Sequence, residues 1–257
     1  MMNNKAKEIG LINTNFVTPH GLDNDNHYTT AYELAILTDY ALSNQTFFNF
    51  VSTRSYTVTI NGMTKAINNT NELLGNLNGV YGVKTGFTNG ANRCLVTACK
   101  RDNLDIICVV LGADTKKFRT QDSIKLIEYT YKTYEMVDLE SIVKKSFDEW
   151  HKNNIENFCV NKGSSNNVEL KLKDFNSMFY PVKKEDVGSI TTSINCDFDL
   201  NAPLKKDTTV GHFIVKINNK EVLKYDIVNR NDIEKKSYLN YLQEFCTNFF
   251  KYLTIRY

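Results

Sequence analysis

No two cysteines in these 257 residues stand at the C-x-x-C spacing, no two histidines at the H-E-x-x-H spacing, and no stretch approaches the roughly 18 consecutive apolar residues of a membrane span. These absences argue against a zinc knuckle or dithiol redox centre, against a zinc protease, and against a bilayer-crossing helix. Cys94, Cys99, Cys108, Cys159, Cys196 and Cys246 are too sparse for a disulfide framework and read as small apolar residues, mostly on strands. His20, His27, His151 and His212 show no metal-ligand spacing, so neither a metal nor a cofactor is expected. Met1 to Gly10 is polar and charged and does not read as a signal peptide. A formal net charge of +2 is too small to point to nucleic acid.

What is present is globular composition, 42% hydrophobic and 23% charged, with room for one large or two medium domains. Met1 to Ile9 has helical composition and runs into the Pro- and Gly-punctuated loop Thr18 to Asp23. Thr30 and Glu33 form a capping-box pattern ahead of Leu34, Leu37, Ala41 and Leu42, which predicts a helix ending near Asn44. Tyr56 to Ile60 and Thr64 to Ile67 flank Asn61-Gly62, a strong hairpin signal. Cys94 to Cys99 and Ile106 to Leu111 form a second hairpin around Lys100 to Asn103, and Val80 to Gly86 is a short strand between the two. Asp122 to Tyr134 has helical spacing.

Beyond Val137 to Glu140 the pattern becomes short strands separated by polar turns: Phe158 to Val160, Val168 to Leu172, Phe179 to Val182, Ile190 to Ile194, Phe213 to Ile217 and Val222 to Ile227. This is the pattern of a small all-β domain. Its charges are dispersed, with no basic face interleaved with aromatics, so nucleic acid is not expected as a partner. At the end, Tyr238, Leu242, Phe245, Phe249 and Leu253 fall on one helical face, while Gln243, Glu244, Asn248 and Lys251 break any continuous apolar run. The stretch from Asn229 to Tyr257 holds Arg230, Lys235, Lys236, Lys251 and Arg256 against Asp232, Glu234 and Glu244, and so carries the whole formal excess of +2. Such an amphipathic helix suits a membrane surface, and docking on its own β-domain is the alternative.

Lys84-Thr85-Gly86 ends the short strand, and K-T-G on a strand is one of three motifs that build the site of penicillin-recognising serine enzymes. Lys supplies a fixed cation for a carboxylate, Thr a hydroxyl donor, and Gly room for a substrate backbone. The wider stretch Gly82-Val-Lys-Thr-Gly-Phe-Thr-Asn-Gly-Ala91 followed by Arg93-Cys-Leu-Val96 resembles the extended motif of the serine-type D-alanyl-D-alanine carboxypeptidases, peptidase family S11. Lys5-Ala-Lys-Glu-Ile-Gly10, Asn15-Phe-Val-Thr-Pro-His-Gly-Leu-Asp23, Tyr28-Thr-Thr-Ala-Tyr32, Asn69-Thr-Asn-Glu-Leu-Leu74 and Asn201-Ala-Pro-Leu-Lys-Lys206 resemble further family segments, in the family's order. The chain departs from the pattern at Asn92, where Gly is expected, and at Thr18, where Asn is expected.

The resemblance implies an α/β (α+β) serine β-lactamase/transpeptidase-like catalytic domain over residues 1–136, N-terminally incomplete. A small all-β domain over 142–232 and an amphipathic membrane-associating helix over 233–257 would follow it. It implies a substrate, the peptidoglycan stem peptide ending in D-Ala-D-Ala, and a location at the outer face of the cytoplasmic membrane or the cell wall. In the family the nucleophilic Ser and activating Lys of S-x-x-K, and the S-x-N loop, come before the region matching Met1. The chain is therefore expected to be inactive by itself, and to take β-lactams only with that segment present. The roles carried over are Lys84 for the substrate carboxylate, Thr85 and Gly86 for strand-like contact, and the Phe87 N–H for the oxyanion, the Phe87 ring serving as packing.

Ser141-Ile-Val-Lys144 matches S-x-x-K, and Ser164-Ser-Asn166 and Ser193-Ile-Asn195 match S-x-N, all after the K-T-G. Twelve serines, with Lys at about every tenth position, produce roughly one S-x-x-K by chance, so these are read as coincidences. His20 is read as a turn residue rather than a general base. Two rival readings are a noncatalytic cell-wall or membrane-associated interaction protein and a β-lactamase, the second disfavoured by the added β-domain and helix.

Overall fold

A computed structural model describes residues 1–176 and 178–254 of the chain. They divide into two compact units, Met1–Glu135 and Met136–Tyr257. In the first, α1 (Met2–Glu8) leads through a long loop to α2 (Ala31–Leu42), whose cap residue Thr30 accepts from the Glu33 N–H at 3.1 Å. Only half of the capping box forms. Instead of returning to Thr30, the buried Glu33 carboxylate accepts from the N–H groups of Ile12 (3.1 Å) and Asn13 (2.8 Å) and from the Thr14 hydroxyl (2.5 Å). Several converging donors stabilise a buried charge better than one cap N–H does. Asn44 then caps a helix absent from the sequence reading, α3 (Gln45–Ser52), accepting from the N–H groups of Thr46 and Phe47.

The first hairpin is β1 (Ser55–Ile60) and β2 (Met63–Asn68), joined by Asn61 and Gly62 with φ of 52° and 77°, the left-handed pair that a two-residue hairpin turn requires. It stands as its own ribbon. The main sheet of the unit is antiparallel, in the order β3 (Val80–Thr88), β4 (Asn92–Arg101), β5 (Leu104–Ala113). Gly79 feeds β3 at φ +80°, where a Cβ would come within 2.4 Å of the Lys100 carbonyl oxygen, so no other residue fits. Helix α4 (Lys116–Thr133), capped by Thr115, starts six residues before the predicted Asp122 and covers the sheet. Leu73, Val80, Leu95, Cys99, Cys108 and Ile127 form its buried core.

The second unit opens on β6 (Tyr134–Asp138) and α5 (Leu139–Asn154), a helix with no counterpart among the elements read from sequence. There follow β7 (Cys159–Asn161), β8 (Leu170–Leu172), β9 (Phe179–Lys183), β10 (Ile190–Cys196), β11 (Asp199–Asn201), β12 (Thr209–Ile217) and β13 (Lys220–Asn229). The four-stranded antiparallel sheet β10-β12-β13-β8 is the largest; β7 pairs with β11 in parallel and β6 with β9. Leu139, Val143 and Phe147, one apolar stripe of α5, join Phe213, Val215 and Ile227 in the core.

Residues assigned from sequence to the start of the terminal helix belong instead to this β-rich body. Ile233 is buried and exchanges backbone hydrogen bonds with Leu204, and the Lys236 N–H donates to the Lys162 carbonyl. The helix itself, α6, is Tyr238–Thr254. Its Tyr238, Leu239, Tyr241, Leu242, Phe245 and Phe249 are 47% to 83% exposed. The side chains of Asn248, Lys251, Leu253 and Arg256 lie outside the described residues. Among the described residues no helix is long and apolar enough to cross a membrane. Cys99 and Cys108 are buried as expected, whereas Cys159 and Cys246 are exposed.

Two stability predictions follow from this packing. Phe213→Ala should cost the second unit about 3–5 kcal/mol. Urea titration of Trp150 fluorescence measures it, since this single tryptophan packs against Phe147 and Phe158 of the same core. Burial alone would raise the pKa of Glu33, but the hydrogen bonds from Thr14, Asn13 and Ile12 outweigh it and hold the carboxyl below its ordinary value. A depressed carboxyl contributes stability above the unfolded value near 4.5 and loses it as pH falls through the lower folded value. Glu33→Gln should therefore lower the thermal midpoint at pH 7, the gap to wild type closing as pH drops below about 4.5; a gap independent of pH in circular dichroism melts would contradict this.

Candidate functional site

Strand β3 leaves the core as it runs: Val80 and Val83 are buried, Lys84 and Gly86 exposed, Thr85 half-buried. Among the described residues it pairs on one side only, with β4. Its other side therefore presents main-chain groups with no strand partner. Alternation sends the backbone groups of Thr85 and Phe87, two residues apart, to the same edge. The Lys84 ammonium donates to the Thr85 carbonyl at 2.5 Å, and the Thr85 hydroxyl shares a 2.7 Å hydrogen bond with the Thr70 hydroxyl. A Cβ on Gly86 would meet the Cys94 Cβ at an ordinary 3.5 Å, so packing beneath the strand does not demand glycine here. The Phe87 ring is not buried as packing would have it. It is 52% exposed, with the Arg93 guanidinium 3.5 Å from its centre.

This segment forms one wall of a cleft of about 1300 Å³. The loop from His20 to Thr29 lines another part, tied to the β3–β4 turn by the Gly90 N–H donating to Asp23 Oδ2 at 3.1 Å. Within that loop, His20 Nδ1 accepts from the Leu22 N–H at 3.2 Å and lies 3.2 Å from the Thr18 hydroxyl, a local turn arrangement as read from sequence.

Glu72, Lys116 and Arg119 line the cleft from the α4 side. Arg119, only 3% exposed, donates to Glu72 Oε2 at 3.0 Å; Lys116 reaches the same oxygen at 3.0 Å, and the Thr120 hydroxyl donates to Oε1. Burial pushes the Glu72 pKa up, but the Thr120 hydrogen bond and the Lys116 and Arg119 charges more than offset it, leaving it below its ordinary value. One carboxylate thus serves two cations, and the trio keeps a net positive charge. Among the described residues no carboxylate pairs with Lys84 or Arg93, which adds two further cations to the cleft for an anionic ligand.

The sequence reading brought Lys84, Thr85, Gly86 and Phe87 to one cleft but assigned no role to Thr70, Glu72, Arg93 or Arg119. Thr70 and Glu72 lie in the Asn69 to Leu74 segment, whose resemblance was the only available signal; nothing in the sequence marks Arg119. The three decoy motifs lie in the other unit and are occupied locally. The Ser141 hydroxyl donates to Asp138 as part of the α5 cap, Lys144 pairs with Glu140, Asn166 accepts from the Val160 N–H, and Ser193 lies within β10. No serine is among the described residues lining the cleft, and none of the described His, Cys, Asp and Glu residues gather in threes around a possible metal position.

Two family models match the chain in order: D-alanyl-D-alanine carboxypeptidase over residues 1–115 and the penicillin-binding protein 5 C-terminal domain over residues 151–235. The chain is 30% identical to the D-alanyl-D-alanine carboxypeptidase DacF of Bacillus subtilis, over 94% of this chain and 60% of that protein. It is 28% identical to the DacD enzyme of Escherichia coli, over 95% of this chain and 60% of that one. Among solved structures, penicillin binding protein 5 from Haemophilus influenzae superimposes with a TM-score of 0.67 at 26% identity, covering 91% of this chain and 65% of that one. The chain thus spans about 60% of the length of these curated relatives. With both models matched in sequence order and a K-T-G strand bordering an open cleft, the chain is similar to the D-alanyl-D-alanine carboxypeptidases over these two stretches.

Proposed function

We propose that these residues form the substrate-binding part of a serine-type D-alanyl-D-alanine carboxypeptidase, taking up peptidoglycan stem peptides that end in D-Ala-D-Ala along the open edge of β3. One observation carries this reading: K-T-G occupies the unpaired edge of a sheet beside a cleft of about 1300 Å³ whose Lys84 and Arg93 have no carboxylate partner among the described residues. An extended peptide can add to such an edge through its backbone. Lys84 then receives the terminal carboxylate, Thr85 donates its hydroxyl, Gly86 admits the peptide backbone, and the Phe87 N–H faces the oxygen on which charge develops.

Removal of the terminal D-Ala through an acyl-serine needs a nucleophilic serine, and none is among the described residues lining the cleft. Turnover and penicillin acylation are therefore assigned to a chain that also holds S-x-x-K and S-x-N, and these 257 residues alone are read as binding without turnover. The cell-wall location follows the same reading. For α6, the exposed apolar residues support a membrane-surface role, and they count against docking on the chain's own β-rich body.

Two experiments test this. The chain should stay unlabelled by fluorescent penicillin yet bind an acetylated Lys-D-Ala-D-Ala peptide, with Lys84→Ala weakening binding about ten- to a hundredfold, the worth of a charge-assisted contact. Labelling abolished by Ser141→Ala would reverse the dismissal of that serine, and unchanged binding in Lys84→Ala would remove the lysine from the site. In flotation, the intact chain should rise with anionic vesicles, less so at high salt, while a chain ending at Ser237 stays in solution and keeps its fold. Unfolding of the shortened chain would instead make α6 a structural element.

A further inference from the structure

Resting on the reading of β3 as the peptide-binding edge, we infer that Thr70 is a positioning residue that sets the direction in which the Thr85 hydroxyl donates. The residues on either side of it are anchored to backbone. Asn69 Nδ2 donates to the carbonyls of Val51 (3.3 Å) and Thr53 (3.1 Å), while its Oδ1 accepts from the Asn71 N–H at 2.9 Å. Asn71, 2% exposed, donates to the Gly82 carbonyl at 2.8 Å and accepts from the Leu73 N–H at 3.1 Å. This bracket ties the end of α3 to the start of β3 and leaves Thr70 between them, its Oγ1 2.7 Å from Thr85 Oγ1.

Each hydroxyl has one proton to give. A carboxylate in the cleft offers only acceptors, so a bound peptide selects the arrangement in which Thr70 donates to Thr85 and Thr85 donates to the peptide. Thr70 thereby holds the χ1 of Thr85 in the rotamer that faces the cleft, before the peptide arrives. Valine at 70 keeps the shape and loses the donor; serine keeps the donor.

The test uses the full 257-residue chain, an acetylated Lys-D-Ala-D-Ala peptide, and NMR couplings that report Thr85 χ1. Thr70→Val should weaken binding about three- to tenfold, the worth of one hydrogen bond to a ligand-facing group. Thr70→Ser should bind within about twofold of wild type. In a Thr85→Val background, adding Thr70→Val should cost nothing further, because the effect runs through the Thr85 hydroxyl. Couplings in Thr70→Val should show Thr85 averaging between rotamers without peptide present. A fixed Thr85 rotamer in Thr70→Val, or losses that multiply in the double variant, would overturn the inference while leaving the peptide site intact. If Thr85→Val binds as wild type does, the K-T-G reading fails and this inference falls with it.

Discussion

The site depends on β3 having one paired side and one open side. Pairing with β4 across seven consecutive partners, Gly82 to Thr88, fixes the register of the strand, and the core beneath β4 and α4 holds it in place. Were a further strand paired on the outer edge, the main-chain groups of that edge would be satisfied within the protein, and K-T-G would be ordinary sheet. An open edge ordinarily carries a risk of indiscriminate strand addition. Here Lys84 and the half-exposed Phe87–Arg93 stack lie along the segment, and charge at an edge discourages pairing with another apolar strand while welcoming an anionic peptide.

The charge balance of the cleft follows from what surrounds that edge. Glu72 absorbs Lys116 and the nearly buried Arg119, which pins the first turns of α4 beside the Asn69 to Leu74 segment. Removing one partner of such a buried pair leaves an uncompensated charge, so the trio is a rigid wall rather than a reserve of ligand contacts. Lys84 and Arg93, with no carboxylate partner among the described residues, add to the positive charge that one carboxylate leaves on that trio. Asp23, by accepting from the Gly90 N–H, closes the loop onto the β3–β4 turn and sets the far side of the cleft. That wall, that loop and the open edge bound the extended slot in which the proposed peptide would lie.

What the residues determined locally was legible without coordinates. Asn61-Gly62 encodes its turn because both positions need positive φ, and the alternation of Tyr56, Val58 and Ile60 and the apolar, β-rich runs of β4 and β5 are read from neighbours in the chain. The K-T-G strand, the run of short strands after Phe158 and the helical face of α6 are likewise patterns of adjacent residues. Helix α5 escaped although Leu139, Ile142, Val143, Phe147 and Trp150 recur at helical spacing, because 137–140 reads as the changeover to short strands. Only the tertiary structure decided the choices between partners far apart in sequence: Glu33 took the Ile12 to Thr14 loop over its own cap, Thr85 met Thr70, and Arg119 met Glu72, 47 positions away. It also decided that Ile233 belongs to the β-rich body. The physical reason is common to all of these. A local pattern states what a side chain can offer, whereas which donor, acceptor or apolar surface it meets depends on how distant segments are packed together.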